Sequence, residues 1–444
     1  MRTAAPPPLV FACSSLLFLL AWGGIALGSF QYDDFANILT DPATFNLPEL
    51  TERLMHGIRP LTRASYAASA QLFGEWTGGW LLVNGLLHAL TTLGVGWLAF
   101  SRLRNHTAAL AAGLCFALQP ANAAVVAYVS GRSTGLATAL LAFALLAHEQ
   151  AVLRPAHAAR WQFTAMLAFV CACMAKEIAV VFPALVFAWE LTRPANARIA
   201  GQRAAPYAAF ALLCLVFMLS IPRYRELLEF SLATRPPLTA LFQNFAALPL
   251  TFSLWVRPWA LAVEHAAPSH WAWSVAGLAT VSITVFAAVR TRTSRSLLAL
   301  ALLWPVIAIA PTHSIIARLD AINEGALYLA WIGPSIGIGA WLGTRSQRAL
   351  QMVTACMVSL ALLCMWRVHV WSDPVLLWRE AVANVPQSAR AWTNLGMAHM
   401  NAQDRAAARG ALRVALALDP TNPRILLNLE VLAALNPSRS TEPQ

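Results

Sequence analysis

Apolar runs close to the length of a membrane span recur from one end of this chain to the other, and they constrain its fold before any single residue is considered. A helix needs about 20 mostly apolar residues to cross the roughly 30 Å hydrocarbon core of a bilayer. Candidate spans fall at 9–29, 79–100, 107–128, 133–149, 161–176, 178–192, 204–221, 271–289, 297–311, 326–343 and 349–366, about eleven in all. Only 11% of the 444 residues are charged and 58% are apolar, which excludes a soluble chain with one anchor. The expected fold is an all-α polytopic membrane protein. The first apolar run is long and has no small-x-small exit, so it reads as an uncleaved first span and not as a signal peptide.

The net charge of +11 is almost all arginine; Lys176 is the single lysine. Arginine and alanine in such abundance fit a GC-rich genome, so the basic balance is no sign of a nucleic-acid partner, and none is expected. The seven cysteines lie in apolar runs and read as small buried hydrophobes. Position matters more than sum for the arginines. Arg102 and Arg104, Arg154 and Arg160, Arg193, Arg198 and Arg203, Arg290, Arg292 and Arg295, and Arg345 with Arg348 fall in alternate loops. The positive-inside rule makes those loops cytoplasmic. Loops 30–78, 129–132, 176–177, 222–270, 312–325 and everything after 367 then face outward. Stretch 238–258 is expected to be a re-entrant or interfacial pair broken near Pro249, since one more span would turn Arg290 outward.

The chain changes character at Trp371. The spacing Trp392, Leu395, Gly396, then Ala408, Leu412, Ala415 and Pro420 fits the 34-residue helix-turn-helix repeat called tetratricopeptide, with partial repeats on either side. The expected organisation is 1–370 as the multi-spanning domain, with the outer loop 30–78 carrying an aspartate pair, 371–436 as periplasmic repeats, and 437–444 as a disordered tail.

The chemistry gathers on the outward side. Asp33 and Asp34 stand just past the first span with Arg59 in the same loop, Arg132, Lys176, Glu177, Arg318 and Glu324 belong to the other outward loops, and Tyr328 lies at the outward end of the span that follows Glu324. Glycosyl transfer from a lipid phosphate needs this mixture. A carboxylate takes the proton of the attacking hydroxyl, and an anionic phosphate leaving group needs fixed cations more than a general acid. Each residue also has a plainer reading: Arg59 as a snorkelling interfacial residue, Arg132 as a turn cap, Lys176-Glu177 as a local ion pair. Asn84 and His88, four apart on one helix face, suit helix-to-helix hydrogen bonding better than donor or metal contact. No Gly-rich phosphate loop or metalloprotease-like zinc spacing is present, so no metal ligand is assigned, although a divalent metal is compatible with the chemistry.

Several short motifs in order carry a resemblance. They are Tyr32-Asp33-Asp34, Arg59-Pro60-Leu61-Thr62, Val83-Asn84-Gly85-Leu86-Leu87-His88, Tyr128-Val129-Ser130-Gly131-Arg132, Lys176-Glu177, and Glu324 with Leu327-Tyr328-Leu329, followed by the terminal repeats. In that order the chain resembles the multi-spanning GT-C glycosyltransferases, and among them bacterial relatives of the tetratricopeptide-bearing O-mannosyltransferases. The resemblance implies an inverting enzyme of the bacterial inner membrane, with a polyprenyl-phosphate-linked sugar as donor and an acceptor protein recruited by the repeats. It implies Asp33 or Asp34 as the base, with Asp33 favoured by position. Arg59, Arg132 and Lys176 would serve the donor phosphate, and Glu324 with Tyr328 would line the site. The chain departs from that pattern at Gln119-Pro120, where relatives have His-Pro. It departs again at Glu324-Gly325-Ala326, where relatives carry Glu-His-Arg. With that arginine missing, Arg318 substitutes, or the donor differs, or activity is lost. Two rivals remain: an oligosaccharyltransferase or ligase using a polyprenyl diphosphate, and a non-catalytic membrane scaffold presenting the repeats.

Overall fold

A computed structural model describes residues 8–193, 196–291, 296–313, 320, 322–345 and 347–434. Among them the chain is helical throughout, with no strand. Six stretches are long and apolar enough to cross a membrane: Thr77–Leu103, Val129–Leu153, Pro155–Ala175, Ala197–Ser220, Trp271–Arg290 and Ala355–Ser372. Two bent pairs, His106–Ala117 with Pro120–Val126 (52°) and Glu324–Ala330 with Ile332–Leu342 (51°), raise the number to 8 if each is one span.

The helices follow in order. Helix α1 is Pro8–Trp22, and the long loop after it holds α2 (Leu47–His56) and α3 (Pro60–Phe73). Next come α4 (Thr77–Leu103), α5 (His106–Ala117), α6 (Ala123–Val126), α7 (Arg132–Leu153), α8 (Ala158–Ala175), α9 (Phe182–Glu190) and α10 (Ala197–Ser220). Helices α11 (Pro222–Thr234), α12 (Pro237–Ser253), α13 (Trp271–Thr291) and α14 (Ser296–Ile309) lead to α15 (Leu327–Ala330), α16 (Ile332–Leu342) and α17 (Gln347–Ser372). Four short amphipathic helices close the chain: α18 (Pro374–Asn384), α19 (Ala389–Asn401), α20 (Arg405–Leu418) and α21 (Pro423–Ala434).

Among the described residues six stretches meet that test, or eight with the bent pairs, so the expected count of eleven is not reached there. Stretch 178–192 fails outright. It breaks into a 3₁₀ turn, Glu177–Val181, and the nine-residue α9, and nine residues rise only about 14 Å. Runs 9–29 and 297–311 are helical over Ala12–Leu27 and Leu297–Ile309, short of a full crossing. The break expected near Pro249 is absent, because α12 runs through Pro249 to Ser253. Packing explains its continuity. A Cβ on Gly277 of α13 would lie 1.8 Å from the Phe245 carbonyl oxygen, so the bare glycine lets α12 lie directly on α13. Ser274 adds a hydrogen bond to the Phe242 carbonyl, 2.9 Å away.

Helix α4 spans about 40 Å, and its two ends define two different faces. At the end near Leu103, the buried Glu149 and Glu190 meet Arg102, Arg193 and Arg203. Arg193 lies 2.7 Å from Glu149 and Arg102 lies 3.1 Å from it, while Arg203 pairs with Glu190. Asn105 bonds the Gly343 carbonyl at the same end (3.1 Å). Buried charges survive there because each has an opposite partner. Loops 28–46, 128–134, 176–177, 260–265 and the helices after 372 meet at the other end.

The last four helices stack as hairpins: Leu395 and Ala398 of α19 pack with Trp378 and Ala381 of α18, and Leu412 of α20 packs under Gly396. Each adjacent pair forms a helix-turn-helix hairpin. Residues 437–444 lie outside the described ones.

Candidate functional site

The first long loop is fixed at its start before it presents its carboxylates. Gln31 donates through Nε2 to the Trp371 carbonyl (3.0 Å), and Ser29 Oγ donates to the Ser372 carbonyl (3.0 Å), which ties the loop to the end of α17. Tyr32 then takes a left-handed conformation, φ 44°, rare for a large side chain. A helical turn follows and opens into a single π-turn, Phe35–Leu39; such turns gather at functional sites.

The two aspartates have different surroundings. Asp34 is 0% exposed. Its Oδ2 accepts the Gln31 N–H (2.9 Å), and its Oδ1 accepts the Ser130 N–H (2.8 Å) and hydroxyl (2.5 Å). It thus clamps the first loop to the hinge before α7. Burial pushes its pKa up to about 7, against those hydrogen bonds. Asp33 is exposed to solvent. Partial desolvation and then repulsion from Asp320 raise its pKa, while Arg390, Tyr128 and Arg424 oppose the rise.

The pH dependence of stability follows from Asp34. An acid whose folded pKa lies above its unfolded value stabilises the fold fully below about pH 4, and that stability is lost as pH rises through about 7. The loss is on the order of 4 kcal/mol at most. Denaturation of the detergent-solubilised chain and of Asp34→Asn, which cannot titrate, should show their difference shrinking from pH 5 to pH 8. A pH-independent difference would mean that the carboxylate is ionised throughout.

The cations sit around this clamp. Arg59, at φ 55° before Pro60, donates to both oxygens of Glu177 (2.8 Å each at closest), and Tyr224 donates to Glu177 as well (2.9 Å). Burial alone would raise the Glu177 pKa, but the Arg59 charge outweighs it and holds the carboxylate below its usual range. Lys176 Nζ lies 2.6 Å from Thr134 Oγ1 on α7. Arg132 is 0% exposed. It donates to Asn84 Oδ1 (3.0 Å), the Ser65 carbonyl (3.0 Å), Ser69 Oγ (2.7 Å) and the Trp80 carbonyl (2.7 Å), and it lies over the Tyr66 and Trp80 rings. Asn84 continues the network to the Val125 and Tyr128 carbonyls. Arg132 is thus a strut joining α3, α4 and the hinge, and its guanidinium is turned toward protein acceptors.

Other expected site residues lie apart from this cluster. His88 and Tyr328 bond each other in the interior (2.8 Å), with His88 Nε2 on the Ala117 carbonyl (3.1 Å). The carbonyl can only accept, so Nε2 carries the proton and Nδ1 accepts the Tyr328 hydroxyl. Glu324 accepts the Ala262 N–H (2.6 Å) and lies 3.0 Å from His265 Nε2. Arg318 lies outside the described residues. Among the described residues, no three His, Cys, Asp or Glu side chains cluster as metal ligands. The partners that sequence reasoning did not single out are Ser130, Tyr128, Tyr224, Glu264 and Arg390. Only Ser130 and Tyr128 left a signal, being inside the Tyr128–Arg132 motif.

An apolar groove of about 610 Å³ runs between α12, α13, α14 and α16, lined by Trp255, Thr280, Leu298, Pro305 and Trp341 among others.

No protein-family profile matches the chain, and no curated protein matches it. Among solved structures, the crystal structure of ArnT from Cupriavidus metallidurans bound to undecaprenyl phosphate is similar over 96% of this chain and 77% of that one, at 12% identity and a TM-score of 0.44. That likeness is too loose to identify the chain.

Proposed function

We propose that the chain is a membrane glycosyltransferase. It moves a sugar from a polyprenyl-phosphate donor to a hydroxyl acceptor, most simply on a protein, at the periplasmic face of a bacterial inner membrane. The observation that carries this reading is the division of labour within one dipeptide. Asp34 is buried and spent on anchoring, which leaves Asp33 exposed on a fixed loop at the bundle end where Arg59 and Lys176 lie. Arg102, Arg193 and Arg203 lie at the other end, which the positive-inside rule makes cytoplasmic.

In the proposed step, Asp33 takes the proton of the acceptor hydroxyl as its oxygen attacks the anomeric carbon. The bond from that carbon to the phosphate oxygen breaks, and polyprenyl phosphate leaves as an anion. A single displacement inverts the anomeric centre. Arg59 and Lys176 are the cations assigned to the phosphate, and the groove beside Trp255 is assigned to the polyprenyl tail. The terminal hairpins, read as tetratricopeptide-like repeats, face the acceptor side. The scaffold reading has one observation in its favour: Arg132 and Arg59 already spend their donors on protein acceptors.

The deciding experiment supplies proteoliposomes containing the chain with a labelled polyprenyl-phosphate sugar or a labelled polyprenyl-diphosphate sugar, plus a periplasmic protein extract. Label moving from the monophosphate into protein supports the proposal. Transfer from the diphosphate alone makes the chain a ligase, and transfer from neither favours the scaffold.

A further inference from the structure

The repeat helices reach back to the aspartate loop through Arg390. Residue Ser388 caps α19 by accepting the Ala391 N–H (3.1 Å) and donates its hydroxyl to Glu264. Arg390, in the first turn of α19, donates Nε to the other Glu264 oxygen (3.1 Å) and places Nη2 2.5 Å from Asp320. Its guanidinium lies 6.0 Å from the centre of the Tyr32 ring. On its far side, Tyr32 meets Trp378 of α18, with ring centres 5.6 Å apart. Tyr32 and Val263 thus fill the outside of the α18–α19 hairpin, whose core is Trp378, Ala381, Ala391 and Leu395.

Tyr32 has a strained backbone, and Asp33 follows it. A left-handed tyrosine is strained and persists only where its surroundings hold it. Here the hold comes from α18 and α19, more than 340 residues away in the chain. The charges point the same way. Asp33 faces Asp320 from the loop before α15, Asp34 beside it, Tyr128 from the hinge, Arg424 from α21 and Arg390 from α19. Asp320 and Glu264 both pair with Arg390, so removing the arginine leaves two more unbalanced carboxylates around the loop.

We propose that Arg390 is a positioning residue for the aspartate loop, so that the terminal helices complete the candidate transfer site and do not stand apart as an appended recruitment arm. This rests on the assignment of Asp33 as the base. Through Tyr32, Arg390 fixes the direction of the Asp33 carboxylate, and its charge keeps that carboxylate ionised beside Asp320.

The test uses the full chain in four forms: wild type, Arg390→Met, Arg390→Lys, and Arg409→Met as a control on the exposed face of α20. Two readouts are needed. Amide hydrogen exchange over residues 29–41 should rise about tenfold or more in Arg390→Met, stay at the wild-type level in Arg409→Met, and fall between in Arg390→Lys, which keeps the charge without the fork. In the transfer assay, Arg390→Met should lose about tenfold in rate at neutral pH, with its acid limb moved up by about one pH unit. Arg390→Lys should bring the limb back toward wild type. Unchanged exchange in Arg390→Met overturns the proposal whether or not transfer is seen, and so does an unmoved acid limb. If the wild type transfers nothing while exchange still rises, the enzyme reading falls and the positioning of the loop by Arg390 stands. If Arg390→Met does not fold, exchange in Arg390→Lys decides: a wild-type value there overturns the proposal.

Discussion

Asp33→Asn should lower sugar transfer by roughly 10²–10⁴-fold while the chain still reaches the membrane at its normal level. Two features of the loop separate these effects. Asp33 is exposed, and no hydrogen bond of the clamp passes through it, so the amide changes proton affinity without unpinning the fold. Asp34→Asn is the contrasting variant. Asp34 accepts three hydrogen bonds from Gln31 and Ser130, and an amide in its place must turn one acceptor into a donor. Leaving a buried N–H unpaired costs about 1–3 kcal/mol, so Asp34→Asn should lose stability and activity together. The comparison is a gene replacement matched for membrane level, read by intact masses of periplasmic and surface proteins and by a glycolipid profile. A sugar-sized mass missing in Asp33→Asn, with unchanged thermal stability, identifies the base. Unaltered masses and glycolipids in both variants, with a phenotype only when 371–444 is deleted, would sink the enzyme reading.

The second large effect is expected at Arg132, and it is on stability. Arg132→Met leaves Asn84 Oδ1, the Ser65 and Trp80 carbonyls and Ser69 without a donor that each now receives. With buried acceptors costing about 1–3 kcal/mol each, the loss should reach roughly 3–5 kcal/mol, seen as an earlier thermal transition in detergent and poor recovery from membranes. Arg132→Lys should rescue little, because one ammonium cannot span acceptors on α3, α4 and the hinge. Wild-type stability combined with a raised KM for the lipid donor would instead place this guanidinium on the phosphate, as the resemblance implies.

What was legible in the sequence is what local composition controls. Long apolar runs became helices because a helix satisfies its own backbone, and the Tyr128–Arg132 hinge and the aspartate pair were recognisable as short motifs. Run 178–192 misled because hydropathy counts apolar atoms and ignores backbone geometry. The chain extends at Lys176 and tightens into a 3₁₀ turn before Pro183, leaving too little helix to cross. The unequal roles of Asp33 and Asp34 were hidden because they depend on which carboxylate Ser130 reaches, 96 residues away. Arg390 left no signal at all. Nothing about the second residue of α19 tells that its neighbours will be Glu264, Asp320 and Tyr32, and only the docking of α18 and α19 onto the loops at that end makes it so.

The ion cluster of Glu149, Glu190 and three arginines at the other end has a consequence for how the chain is made. Synthesis runs from the N-terminus, so Glu149 enters the bilayer at the foot of α7 when Arg102 is the one cation of the cluster already present. Arg193 and Arg203 follow more than 40 residues later. Arg102 can pair Glu149 at once, whereas Glu190 reaches its Arg203 partner only after α10 has been made. The order of synthesis thus matters for this end: α4, α7, α9 and α10 must all be in register before each buried carboxylate has its arginine partners.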